Sequence, residues 1–183
     1  MIEVELKGYA DEKIFERVRE RYKLLRREYH EDTYFQHPCR DFSETDEALR
    51  IRVKRFNGHF EAFMTYKGPK LDRESKTRKE IEVELTDPDK HLQILESLGF
   101  VEVLTVVKKR EKYYVEKGVV ITLDEVEGLG KFVEIETIVE DETKVPELVR
   151  RMKEILLDLG VRRFERRSYL ELLLEKEGNH GET

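Results

Sequence analysis

Residues 3–7 read Glu-Val-Glu-Leu-Lys, and the recurrence of this alternation restricts the fold more than any other property of the sequence. In an extended backbone, successive side chains point to opposite faces. Glu3, Glu5 and Lys7 therefore share one face, and Ile2, Val4 and Leu6 the other. Two carboxylates spaced this way stand about 7 Å apart, close enough to hold a divalent cation between them. One such strand describes a one-sided sheet with its charged face in water. Here the pattern returns down the chain, sorted by sign. Arg78–Leu85 sets Glu80, Glu82 and Glu84 against Ile81, Val83 and Leu85, and Lys131–Val139 sets Glu134 and Glu136 against Val133 and Ile135. The basic counterpart begins in residues 48–56, where Arg50, Arg52 and Lys54 oppose Leu49, Ile51 and Val53; Lys108, Arg110 and Lys112 follow in Phe100–Lys117.

Other segments complete the set. Asn57-Gly58 marks a tight hairpin and makes His59–Lys67 the return strand. Glu28–Gln36 carries the strand formers Tyr29, Thr33, Tyr34 and Phe35. In Val119–Val126, Thr122 and Asp124 share a face. Solvent-facing charges are usually mixed within a strand, whereas these are segregated strand by strand. A closed antiparallel barrel gives every strand an inside and an outside. The reading is α+β: an eight-stranded antiparallel β-barrel, or tunnel, with acidic and basic walls lining the lumen. Its apolar exterior needs cover, and three amphipathic helices are available. They are residues 11–26, capped by Asp11; residues 87–99, opened by Asp87-Pro88 and closed by Gly99; and Val145–Leu159, closed by Gly160. Unpaired charges inside would be costly, so the lumen calls for cations on its carboxylates and an oligo-anion on its Arg and Lys. Metal with polyphosphate satisfies both, because guanidinium forks grip phosphate oxygens in pairs.

Several classes are disfavoured. The net charge of −6 over 183 residues does not favour non-specific nucleic-acid binding. Cys39 is the single cysteine, so there is no intrachain disulfide, and His37 with Cys39 is weak evidence for a metal centre. No apolar run approaches a membrane span, and no signal peptide is evident; a cytoplasmic protein is expected. Charged residues form 42% of the chain, as in heat-adapted proteins with surface ion-pair networks. Glu127-Gly128-Leu129-Gly130 lacks the third glycine and the following helix of a dinucleotide fingerprint. Arg40–Asp46 reads as a polar loop. Gly68–Thr77 is a basic loop with Lys70, Arg73 and Lys76, suited to a flap over an anion. Ser168–Leu174 is readable as a strand or a short helix. One domain is expected over 1–176, with a disordered tail at 177–183.

The ordered motifs resemble the CYTH superfamily, the triphosphate tunnel metalloenzymes. Glu3-Val4-Glu5-Leu6-Lys7 is similar to its Glu-x-Glu-x-Lys signature, Arg50-Ile51-Arg52 to its Arg-x-Arg strand, and Lys67 to its hairpin-ending lysine. Lys79-Glu80-Ile81-Glu82, Lys108-Lys109-Arg110, Asp124 and Glu134-Ile135-Glu136 resemble its later elements. The resemblance spans residues 2–174 and is closest to class IV adenylyl cyclase-like proteins. It implies Mg²⁺ or Mn²⁺ on Glu3, Glu5, Asp124, Glu134 and Glu136. Lys7, Arg50, Arg52, Lys67, Lys79, Lys108 and Arg110 would grip the triphosphate, and Lys7, Glu80 and Glu82 would serve catalysis. ATP conversion to cyclic AMP and pyrophosphate is the implied reaction. Hydrolysis of tripolyphosphate, thiamine triphosphate or a nucleoside triphosphate, and binding without turnover, are the alternatives. The resemblance and the apolar exterior also suggest a homodimer.

Overall fold

A computed structural model describes residues 2–180. Eight strands close into an antiparallel barrel in the order β1-β5-β4-β3-β2-β6-β7-β8. They are β1 (Ile2–Tyr9), β2 (Lys23–Gln36), β3 (Ala48–Phe56), β4 (His59–Lys70), β5 (Arg78–Leu85), β6 (Val101–Glu116), β7 (Val119–Val126) and β8 (Gly130–Val139). The β3–β4 hairpin turns at Asn57 and Gly58, both at positive φ (48° and 77°), as a two-residue primed turn requires.

Among the described residues, five α-helices accompany the barrel: α1 (Glu12–Arg21), α2 (Phe42–Thr45), α3 (Pro88–Ser97), α4 (Val145–Asp158) and α5 (Tyr169–His180). The three helices expected from periodicity cover the outside. Ile14, Phe15 and Val18 of α1 and Val149, Met152 and Leu156 of α4 bury against Val4, Leu6, Ile121 and Ile135. Leu95 of α3 packs on Ile51, Ala62 and Leu85. The exterior is not fully covered: Ile81 and Val83 of β5 are exposed.

Three local readings differ from the sequence expectation. Residues 11–26 are not all helical: Tyr22 is extended (φ −122°, ψ 151°) and β2 begins at Lys23. Lys23 and Leu24 pair with Tyr114 and Tyr113 of β6, so ladder bonds override the helical spacing of Tyr22 and Leu25. The loop at residues 40–46 contains α2, whose Asp41 cap accepts a hydrogen bond from Ser43 N at 2.8 Å. Ser168–Leu174 opens α5. Its start is boxed by Ser168 and Glu171, each side chain accepting from the other residue's backbone N–H at 3.1 and 2.6 Å. This helix runs through residues 177–180 of the expected tail; residues 181–183 lie outside the described residues.

Strand β1 is joined to β8 over eight residue pairs but to β5 at only Ile2↔Lys79 and Glu3↔Arg78. The rest of that seam is closed by two other segments. Lys76 N donates to Glu5 O at 2.9 Å, Tyr9 N to Arg163 O at 3.0 Å, and Glu165 N to Lys7 O at 2.8 Å. Gly8 allows the crossing, since a Cβ there would stand 2.3 Å from Val161 Cγ1.

Candidate active site

Register fixes which side chains enter the lumen. Lys7 lies opposite Glu134 and Glu5 opposite Glu136; Asp32 lies opposite Arg52; Lys67 lies opposite Glu80 and Thr65 opposite Glu82; Arg110 lies opposite Asp124. One cavity brings together Glu3, Glu5, Glu134 and Glu136 with Arg50, Arg52, Lys67, Lys76, Arg78, Lys108 and Arg110. Phe42 and Ser43 of α2 and Leu170 and Leu174 of α5 also line it, together with Tyr34.

The acidic side divides into two groups. Glu3, Glu5 and Glu136 each offer an oxygen, and these oxygens lie within 4.8 Å of one another. Burial raises the pKa of Glu3, with nearby Glu80 adding to the rise, and burial together with Glu3 raises that of Glu136. Crowded carboxylate oxygens of this kind suit a hard divalent cation. Asp124 and Glu134 stand apart from that trio. Arg110 binds Asp124 with both prongs, Nε–Oδ1 at 2.7 Å and Nη2–Oδ2 at 2.5 Å, and reaches Glu134 Oε2 at 2.6 Å. Asp124 also receives Lys108 at 3.2 Å and the Tyr169 hydroxyl at 2.9 Å. Burial raises both acids, but the neighbouring cations together outweigh it and hold both below the usual carboxylate range: Arg110 and Lys108 for Asp124, and Lys76, Arg110, Lys108 and Lys7 for Glu134. These two carboxylates, which the family resemblance gives to metal, pair here with Arg110, Lys108 and Lys76.

The basic wall is partly neutralised. Arg52 makes two 2.6 Å bonds to Asp32, while Arg50 is 3.9 Å from the same carboxylate and its buried Nε has no partner. Lys67 contacts Glu80 closely and lies 3.4 Å from Glu3. Arg78 is 3.5 Å from Asp46. Burial and Arg110 push the Lys108 ammonium down to about 8. Lys7 is buried, donates to the Arg167 carbonyl and lies 4.2 Å above the Tyr169 ring. Burial, and then Lys76, bring its pKa down to about 7.

Lys79 is a correction. It is exposed, on the outer face with Ile81, and the neighbouring Arg78 enters the cavity instead. Register explains the exchange: Arg78 has the same parity as Glu80, whose face is the lumen. Glu80 is buried against Lys67; Glu82 is exposed and accepts from the Thr65 hydroxyl at 2.8 Å. Sequence reasoning missed Asp32, Tyr34, Arg78 and Tyr169, and treated Lys76 only as part of a flap. Asp32 and Tyr34 were recoverable, because they alternate with the outward Glu31 and Thr33. Buried His30 shares their face, bonded to Glu28 through Nε2, with Nδ1 unpartnered.

The profile of the CYTH domain matches residues 1–169. A Methanocaldococcus jannaschii protein named "Putative adenylate cyclase MJ0240" is 44% identical over 177 residues, covering 94% of this chain and 98% of its own. "Adenylate cyclase CyaB" of Aeromonas hydrophila is 30% identical over 148 residues, covering 80% of this chain and 73% of its own. The solved structure of the PH1819 protein from Pyrococcus horikoshii OT3 superposes with a TM-score of 0.94 at 69% identity, covering 95% of this chain and 99% of that one. With the tunnel and its sorted walls in view, these matches place the chain in the CYTH domain family.

Proposed function

We propose that this protein is a divalent-metal-dependent enzyme acting on a triphosphate inside the tunnel, and that its reaction converts ATP to cyclic AMP and pyrophosphate. One observation carries the reading: the three crowded carboxylates Glu3, Glu5 and Glu136 share a cavity with Arg50, whose buried Nε has no partner. The names of the two relatives favour the cyclase over other triphosphate chemistry.

Glu3, Glu5 and Glu136 would hold Mg²⁺ or Mn²⁺. A divalent ion bound there neutralises charge on phosphoryl oxygens. Arg50, Arg52, Lys67, Arg78, Lys108 and Arg110 bind the remaining phosphate oxygens. Asp32, Asp124 and Glu134 aim three of those cations; Glu80 aims Lys67, and Glu82 fixes Thr65 beside it. In cyclisation, the ribose 3′ oxygen bonds to the α-phosphorus, the bond to the bridging oxygen breaks, and pyrophosphate leaves. The hydroxyl proton passes to Lys7, the tunnel amine that burial brings nearest neutrality. The small-molecule partner is thus ATP.

The test is incubation with ATP, tripolyphosphate and thiamine triphosphate, each with Mg²⁺ or Mn²⁺, followed by product analysis. Cyclic AMP with pyrophosphate is expected from ATP. Orthophosphate release would replace the cyclase with a triphosphatase. Tight binding without product under either metal would reduce the protein to a triphosphate binder.

A further inference from the structure

Lys76 belongs to the segment between β4 and β5, and its backbone is fixed before its side chain is considered. Asp72 accepts from the backbone N–H groups of Glu74 and Ser75, each at 2.7 Å. Leu71 N donates to Thr77 O at 2.8 Å, and Arg166 Nη2 to Asp72 O at 2.6 Å. Lys76 N donates to Glu5 O across the short β1–β5 seam. The side chain consequently enters the tunnel through the wall. Its ammonium lies 2.6 Å from Glu5 Oε1 and 3.8 Å from Glu134 Oε1, and it lines the cavity.

Glu5 is also one of the three carboxylates that converge within 4.8 Å. An ammonium and a divalent ion on one carboxylate repel each other, so metal binding weakens the Lys76–Glu5 contact. The ammonium is a point charge on a flexible stem, and the seam holds its backbone in place. On leaving Glu5, it keeps Glu134 at 3.8 Å on one side, and the anion it can gain is a phosphate in the same cavity. We infer that Lys76 exchanges Glu5 for a phosphate oxygen of the metal-bound triphosphate, which makes metal and triphosphate binding mutually dependent. This rests on the metal–triphosphate reading above.

Calorimetry of the wild type and K76M tests it, with Mn²⁺ alone, with tripolyphosphate alone, and with both after correction for the complex they form in solution. K76M should bind Mn²⁺ alone at least fivefold more tightly. In the presence of Mn²⁺, it should bind tripolyphosphate at least tenfold more weakly. K76R, which keeps the charge, should stay within about twofold of wild type in Mn²⁺ affinity. Unchanged or weaker Mn²⁺ binding by K76M overturns the exchange. K76Q supplies the same readout if thermal unfolding shows that K76M does not fold. If wild type binds neither Mn²⁺ nor tripolyphosphate, the metal–triphosphate reading itself fails. If it binds both and K76M behaves identically, only the role of Lys76 fails.

Discussion

Replacing Glu136 by Gln should stabilise the metal-free protein and remove its response to metal. The oxygens of Glu3, Glu5 and Glu136 lie within 4.8 Å of one another. At an effective dielectric near 20, two like charges about 5 Å apart repel by roughly 3 kcal/mol. Glu136 has two such neighbours, but Arg110 and Lys112 (the latter at 3.9 Å) offset part of this, and proton uptake relieves more. A net gain of about 1–2 kcal/mol is expected for Glu136→Gln. Urea unfolding in EDTA measures it; with a slope of about 2 kcal/mol/M, the midpoint should rise by roughly 0.5–1 M. The sign with pH is fixed as well. A carboxyl whose folded pKa is raised destabilises the fold progressively as pH climbs from its ordinary value to the raised one and not at all below the former, so the two proteins should converge below about pH 4.5. Mn²⁺ at a hundred times its dissociation constant should add about 2.7 kcal/mol to wild type and far less to the variant, reversing their order. A variant less stable than wild type in EDTA, or one with the full Mn²⁺ gain, would refute the crowded-carboxylate argument.

Two further outcomes follow from the geometry. Lys79→Ala should leave tripolyphosphate affinity within about twofold, whereas Arg78→Ala should lower it at least tenfold in the same titration, because Arg78 enters the cavity and Lys79 faces outward. Burial would raise the Glu165 carboxyl, but the Arg167 side chain and backbone N–H and the Tyr9 hydroxyl hold it at about 2. Its contribution, roughly 1–3 kcal/mol, is complete above pH 4.5 and is lost as pH falls towards 2. Urea midpoints of Glu165→Gln should therefore change less than those of wild type across that interval.

The barrel was legible because strand periodicity is strict: one face of β1, β3 and β8 is aliphatic, and a shift of one residue would turn that face into the lumen. The same rule placed Arg50, Arg52, Glu134 and Glu136 inside. Lys79 came from the resemblance and not from this rule: parity sets Lys79 with Ile81 and Arg78 with Glu80, in agreement with the register of Arg78 opposite Glu3. The rule was silent at Glu28, His30 and Asp32, because β2 alternates polar with polar there. Periodicity also does not report which opposite charges meet. Asp124 and Glu3 look alike as acids on strands, and only the position of Arg110 shows that Asp124 is held by a guanidinium on both oxygens. The α5 helix was ambiguous because its apolar run Leu172–Leu174 follows no single period; packing of Tyr169 and Leu172 against Phe132 and Val106 decides it.

The route by which β1 is closed has a consequence during synthesis. Apart from the short contacts with β5 and Lys76, its partners are β8, more than a hundred residues downstream, and the Arg163–Glu165 segment beyond it. At roughly 5–20 residues per second, a ribosome needs on the order of ten seconds or more to deliver them. Through that interval the first strand emerges with an unpaired edge, and its alternating carboxylates act as a guard against pairing with other chains. The charges that later face the lumen thus have an earlier task, keeping β1 solitary until its own barrel can enclose it.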